Sequence, residues 1–269
     1  MDLKEYEKGI KTDINRHPWE DARLKILSFF ITRAEKKNTI LDIGSGDAFL
    51  SSSVAKNWPN SKVAAVDINY TDTHLEILKK DKPANFFLFA DLLSFTNSFS
   101  KKIDIVIMMD VLEHIKIPGE LLQQVQQATD KSSPALFIIT VPAYQRLYSR
   151  HDEQLGHFKR YNRKELIQLL KEQSIFVTRS GYCFTSLLIP RLFQILFEKI
   201  AKKDIDANNK IYKWNGGKAL TFLLKSIFWI EFKISWYLSR IGIYIPGLTC
   251  YCICQCSPLS SPVITKKRD

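Results

Sequence analysis

The sequence is short of glycine where a dinucleotide-binding loop needs it. Its stretch TILDIGSGDAF (39–49) holds Gly44 and Gly46, but Phe49 stands where G-x-G-x-x-G wants a third glycine. Phe49 puts bulk, and Asp47 negative charge, where a pyrophosphate would meet a helix N-terminus. This argues against a phosphate cradle, and so against a dehydrogenase. Acidic residues are scarce in the C-terminal part. Residues 158–269 carry 7 Asp+Glu against 19 Lys+Arg, whereas residues 1–157 carry 21 against 20. The net charge of +11 therefore arises entirely from the C-terminal part and points to an anionic partner there: a membrane surface, a nucleic acid or a phosphorylated substrate. The N-terminus, MDLKEYEKGIKTDINR, has no apolar stretch to serve as a signal peptide. That predicts a cytoplasmic protein with free thiols. Zinc-type C-x₂₋₄-C pairs are missing too. Cys250, Cys252, Cys254 and Cys256 alternate, which on a strand spreads the thiols along ~20 Å of one face. They are too far apart to share one tetrahedral ion and read instead as small apolar residues of a buried strand.

What is present is a full core: hydrophobic residues make up 45% of the 269. Five short apolar runs, 39–43, 62–68, 85–90, 103–109 and 135–141, read as strands covered on both faces. Segments with apolar residues at helical spacing lie between them, so the fold class is α/β with a doubly wound, mostly parallel sheet. A helix over 163–173 and a strand over 175–183 continue the pattern. Residues 1–38 form a helical leader and 39–183 the core. An apolar and basic helical insertion spans 184–246, the last core strand 247–256, and a disordered tail 257–269.

Ligands of such sheets bind at the carboxyl ends of the strands. Asp42, Asp67 and Asp91 stand at or near three consecutive strand ends, Asp67 being 21 residues after Gly46. The two glycines let backbone approach a ligand closely. Asp67 suits two ribose hydroxyls, and Asp91 suits the exocyclic amine of adenine. A donor with adenosine and an ammonium group but no phosphate fits best: S-adenosylmethionine.

The stretches LDIGSGDAFLS (41–51), AVDIN (65–69), FADLL (89–93) and DIVIMMDVLEHI (104–115) resemble the class I S-adenosylmethionine-dependent methyltransferases, above all the quinone and other small-molecule O-methyltransferases. The likeness extends to HPWEDAR (17–23) and HDEQLGHFKRY (151–161). It implies a seven-stranded sheet of the Rossmann-like methyltransferase type. It also implies roles: Asp42, Gly44, Ser45 and Gly46 along the methionine portion, Asp67 on ribose with Ile68 beside adenine, and Asp91 and Leu92 flanking the ring. Asp110 would lie near the sulfonium with Val111 behind it, Arg23 on the methionine carboxylate and Trp19 over the pocket. Ala48 departs from the family's commoner G-C-G-x-G.

Methyl transfer needs donor and acceptor in line and, for an oxygen or nitrogen acceptor, a base. His114 follows the fourth strand; His151 and His157 lie in the long segment after the fifth, where a loop of about 20 residues signals function. His157 is favoured over His151. Asp110, Glu113 and His114, at i, i+3 and i+4, would share a face if a helical turn begins there. With His157 they resemble the E-x-x-E-H set of Mg²⁺-dependent quinone and small-RNA methyltransferases, so a metal stays open.

Within the insertion, Lys218, Lys225, Lys233 and Arg240 are spaced by 7, 8 and 7 on an apolar, aromatic segment in which no uncharged run exceeds six residues. It is too interrupted to span a membrane and reads as a helix lying on an anionic membrane surface, at the inner face. The function that follows is methyl transfer, at oxygen by preference, to a small or membrane-held acceptor such as a lipid, a quinone precursor or a lipid-linked glycan. The competing readings are an RNA methyltransferase, which the lack of interleaved stacking aromatics disfavours, and a membrane-docked adaptor of the same fold without catalysis.

Overall fold

The computed structural model describes residues 16–79, 82–99, 102–129, 134–201 and 214–256. The expected disordered tail, residues 1–15 of the leader and most of the linker between the two insertion helices lie outside them. Seven strands form one sheet: β1 (Thr39–Ile43), β2 (Lys62–Val66), β3 (Phe86–Phe89), β4 (Ile105–Met109), β5 (Ala135–Pro142), β6 (Ile175–Cys183) and β7 (Thr249–Cys256). Their order is β3-β2-β1-β4-β5-β7-β6. All pairs are parallel except those of β7, which runs antiparallel to β5 and β6.

Successive strand residues face opposite layers. Ile40, Val63, Ala65, Ile105 and Ile107 point to one core, and Leu41, Ala64, Val106 and Met108 to the other. The first core is closed by helices α1 (Pro18–Thr32), α2 (Phe49–Asn57) and α3 (Asp72–Lys79); the second by α4 (Leu92–Ser98), α5 (Pro118–Ala128) and α7 (Arg163–Glu172). The four alternating cysteines of β7 are buried free thiols on the second face, while Tyr251 and Ile253 point to the first.

Helix α1 begins at a capping box: the His17 ring accepts from the Trp19 amide and Glu20 reaches back to the His17 amide, with Pro18 at the first helical position. The segment after β5 is not one long loop. It holds a single 3₁₀ turn (Gln145–Leu147) and the short helix α6 (Arg150–Leu155), started by a second capping box between Ser149 and Asp152.

The insertion forms α8 (Leu188–Ala201) and α9 (Lys218–Ser239). Helix α9 packs on the core. Phe228, Phe232 and Trp236 recur at i, i+4 and i+8 and are buried, Phe232 and Trp236 against Phe29 and Phe30 of α1 and Tyr251 of β7 and Phe228 against Phe184. Two of the four spaced basic residues, Lys225 and Lys233, are engaged with α1. Lys225 pairs with Asp21 of α1, and Lys233 lies 4.6 Å over the Phe29 ring. Among the described residues no helix is long and apolar enough to cross a membrane.

Phe232 is fully buried among five aromatic rings. Phe232→Ala is expected to cost roughly 3–5 kcal/mol of unfolding free energy, read from urea unfolding, whereas Phe222→Ala on the exposed side of the same helix changes stability by at most about 0.5 kcal/mol.

Candidate active site

One cavity of about 720 Å³ opens at the carboxyl ends of β1, β2 and β4, within the size range of small-molecule sites. Every residue singled out above lines it: Trp19, Arg23, Asp42, Gly44, Ser45, Gly46, Asp67, Ile68, Asp91, Leu92, Asp110, Val111, His114, His151 and His157.

The glycine loop is tied down on β2. The Gly44 amide donates to the Val66 carbonyl at 2.8 Å, and the Gly46 amide to Asp67 Oδ2 at 2.8 Å. The other Asp67 oxygen accepts from the Asn69 amide at 2.9 Å. Gly44 needs to be glycine twice over: its φ is +67°, and a Cβ there would sit 2.6 Å from Val111 Cγ2. Ala48 also takes a positive φ, +56°, a conformation that costs a residue with a Cβ roughly 1–2 kcal/mol. This is the position at which the sequence departs from glycine, and the chain carries the strain there. Phe49 starts α2 and lies under the Arg16 guanidinium, 3.8 Å from its ring centre. Asp47 corrects the argument made from its charge: it is buried and paired with Arg16 at 2.7 Å.

Asp42 is buried at the end of β1. Burial, together with the nearby Asp67 charge, pushes its carboxyl up to about 7. Asp91 caps α4: its oxygens accept from the Ser94 amide and hydroxyl, both at 2.7 Å, and these bonds hold its carboxyl below the usual range. Its rim position leaves it on the cavity.

Asp110 has φ +57°, so the chain swings before the 3₁₀ turn Leu112–His114 starts. Its carboxylate faces Arg23 at 2.8 Å and the Thr140 hydroxyl at 2.9 Å. The four-residue set Asp110, Glu113, His114 and His157 therefore divides. Ligand atoms of Glu113, His114 and His157 lie within 4.8 Å of one another, and Asp110 is outside the group. Both Glu113 oxygens are buried without a hydrogen-bond partner. Burial first, then the Asp110 charge, pushes this carboxyl well above its ordinary value.

Behind His157 stands Asp152, fully buried. Its Oδ1 lies 2.9 Å from His157 Nδ1 and accepts from Arg160 Nε at 2.7 Å. Its Oδ2 accepts from Arg191 of α8 at 2.6 Å and from the Ser149 amide at 2.9 Å. Burial works against the charge, but the bonds from His157 and Arg160 and the two guanidinium charges hold the carboxyl well below the usual carboxylate range. The ring of His157 meets that of His114 edge-on, centroids 4.5 Å apart. His151 has no such carboxylate hold; burial and the Arg191 charge lower its pKa.

Asp152 and Arg160 sit in the segment flagged by the sequence, but their convergence on His157 was not read there. The S-R-H-D capping box at 149–152 is the signal that places Asp152 at the start of a helix. Arg191 has no comparable signal.

These features define an α/β protein with an acid-rimmed cavity at the carboxyl ends of its parallel strands. A family model described as a methyltransferase domain matches residues 15–174, more than half of the chain, and the chain belongs to that family. Its methyl donor is S-adenosylmethionine. No curated protein matches it in sequence. Among solved structures, it is similar to an S-adenosylmethionine-dependent methyltransferase from Archaeoglobus fulgidus, with TM-score 0.51 and 15% identity over 87% of this chain and 93% of that one. Phosphoethanolamine N-methyltransferase 2 of Haemonchus contortus, in complex with S-adenosylmethionine, is similar at TM-score 0.53 and 19% identity, over 95% of this chain but 56% of that one. Coclaurine N-methyltransferase is similar at TM-score 0.52 and 14% identity, over 86% and 72%. At such identities the likeness is one of fold.

The orphaned Glu113 carboxyl has a measurable consequence. The unfolded chain ionises a glutamate near pH ~4.3, while the folded chain keeps the proton to higher pH. Above that pH folding must retain a proton the unfolded chain releases, so the penalty grows with pH. Glu113→Gln is expected to raise the melting temperature of cofactor-free, EDTA-treated protein at pH 7 and to leave it unchanged at pH 4; equal shifts at both would contradict this.

Proposed function

We propose that the protein methylates a membrane-held acceptor, a lipid, a quinone precursor or a lipid-linked glycan, at oxygen, with His157 as the base. The observation that supports the membrane-held acceptor is the apolar surface beside the cavity. Helix α8 exposes Ile189, Leu192, Phe193, Leu196 and Phe197, while its Arg191 reaches the cavity wall. Helix α9 exposes Leu223, Ile227, Ile230, Ile234 and Tyr237 on the side away from its buried residues. Two helices with exposed apolar faces on a strongly basic part of a chain suit an anionic bilayer at the inner face of a membrane.

In this reading the adenosine half of the donor lies over the glycine loop. Asp67 accepts from the ribose with lone pairs the loop amides leave free, and Asp91, Leu92 and Ile68 border adenine. The methionine half lies along Asp42, Gly44, Ser45 and Gly46, its ammonium facing Asp42 and its carboxylate reaching Arg23 under Trp19. Asp110 and Val111 back the sulfonium. The acceptor oxygen attacks the methyl carbon in line. The carbon–sulfur bond breaks, its electron pair stays on sulfur as S-adenosylhomocysteine forms, and the acceptor's proton passes to His157 Nε2. Asp152 holds Nδ1 protonated and stabilises the imidazolium. His114 and His151 line the acceptor side.

A second reading rests on the two unpartnered Glu113 oxygens. Glu113, His114 and His157 fit a divalent cation, with Asp152 orienting His157 from behind as carboxylates do for histidine ligands. Such an ion would lower the pKa of an acceptor hydroxyl.

One assay separates these readings. Protein, membrane extract and methyl-labelled S-adenosylmethionine should place label in the lipid fraction; label in RNA would support the nucleic-acid reading, and none in any fraction the non-catalytic adaptor. His157→Gln is expected to slow transfer by about 10²–10⁴-fold with S-adenosylhomocysteine binding unchanged. Transfer that survives EDTA removes the metal; transfer lost to EDTA and restored by Mg²⁺ or Mn²⁺ favours it.

Docking is tested separately by flotation. The full chain should rise with vesicles containing phosphatidylglycerol and not with phosphatidylcholine alone. Phe193→Glu combined with Phe197→Glu should abolish flotation, and wild-type protein that stays at the bottom would sink the docking surface.

A further inference from the structure

Helix α8 has two unlike faces. Ile189, Leu192, Phe193, Leu196 and Phe197 point outward, while Arg191 and Ile195 are buried. A buried arginine is costly unless its charge is met by partners. The Nε of Arg191 is buried without a partner, and its terminal nitrogens are met mainly by the segment after β5. One terminal nitrogen donates to Asp152 Oδ2 at 2.6 Å, to the Leu147 carbonyl at 3.1 Å and to the Ser149 hydroxyl at 2.9 Å. The other donates to Gln194 on its own helix at 3.0 Å. The opposite oxygen of the same Asp152 lies 2.9 Å from His157 Nδ1. The path from α8 to the cavity thus runs through one carboxylate, with no flexible side chain in between.

We infer that Arg191 is a positioning residue: it fixes Asp152, and through Asp152 the tautomer and orientation of the His157 ring, so that insertion helix α8 is a working part of the active site. The consequence for transfer rests on the proposed role of His157; the hold on the ring does not. A carboxylate bridging a histidine and two arginines loses both its orientation and part of its charge compensation when one arginine goes. Arg160 still supplies a guanidinium to Oδ1 and the Ser149 amide a bond to Oδ2, so the carboxylate stays charged in the variant but loses the side-chain hold that fixes Oδ2 from α8. Geometry at His157 should therefore suffer more than the fold does.

The test uses the full chain labelled with ¹⁵N, with S-adenosylhomocysteine bound. Long-range ¹⁵N–¹H spectra report the two nitrogens of each histidine, and His157→Gln assigns the His157 signals. In the wild type the Nδ1 proton should be downfield and slow to exchange, the mark of a bond to a carboxylate. In Arg191→Met that resonance should move upfield and exchange at least tenfold faster. Arg191→Lys, which keeps the charge but not the fork of donors, should fall between. Calorimetric affinity for S-adenosylhomocysteine should stay within twofold in both. If Arg191→Met does not fold by circular dichroism, Arg191→Lys is read in its place. An unchanged His157 signal in the folded variant overturns the inference. A shifted signal with at least tenfold slower methyl transfer to the membrane extract, at unchanged KM for S-adenosylmethionine, supports both the hold and its purpose. A shifted signal with undiminished transfer upholds the hold and sinks instead His157 as the acting base.

Discussion

The histidine-lined side of the cavity depends on one buried charge. Asp152 has no access to water, and an ionised carboxylate in that position is tolerated only if donors surround it. The chain supplies them from four places: the Ser149 amide at the start of α6, His157 and Arg160 just beyond that helix, and Arg191 from the insertion. Satisfying the carboxylate therefore brings together segments that no apolar contact would place so narrowly. The capping box sets where α6 begins, His157 is turned toward the cavity, and α8 is drawn against the segment after β5. Hydrophobic burial builds the sheet and its helices; the polar cluster decides how one edge of the cavity is shaped.

The glycine-loop side of the cavity is organised differently. Backbone amides of Gly44 and Gly46 reach the end of β2, and Asp67 receives one of them. A single side chain there ties the loop down and also faces the cavity. Its two tasks are compatible because a carboxylate has more acceptor positions than the loop occupies. Arg23 and Asp110 show the same economy, since they pair with each other while both border the cavity.

Much of this was legible in the sequence because strand and loop signals are local. The apolar runs mark β1 to β5, G-x-G marks the loop, and acids at strand ends mark the cavity rim. What was not legible depends on backbone angles and distant partners. Nothing local says that Asp110 takes a positive φ, yet that angle removes it from the face shared by Glu113 and His114. The spacing of Lys218, Lys225, Lys233 and Arg240 is real, but which side of α9 meets α1 is set by Phe228, Phe232 and Trp236. Lys225 and Lys233 consequently face α1. Arg191 looks like one basic residue on an amphipathic helix until its partner, 39 residues earlier in the chain, is seen.

The contact between Gly44 and Val111 makes the history of this site directional. Val111 fills the space a side chain at 44 would need, so position 111 can shrink without consulting position 44. The reverse does not hold. Even with the space cleared, the positive φ at 44 penalises any residue with a Cβ. Change in this corner of the molecule can therefore pass through 111 first and gains nothing by passing through 44. The loop acts as a ratchet that lets the wall at Val111 vary while the backbone at Gly44 stays as it is.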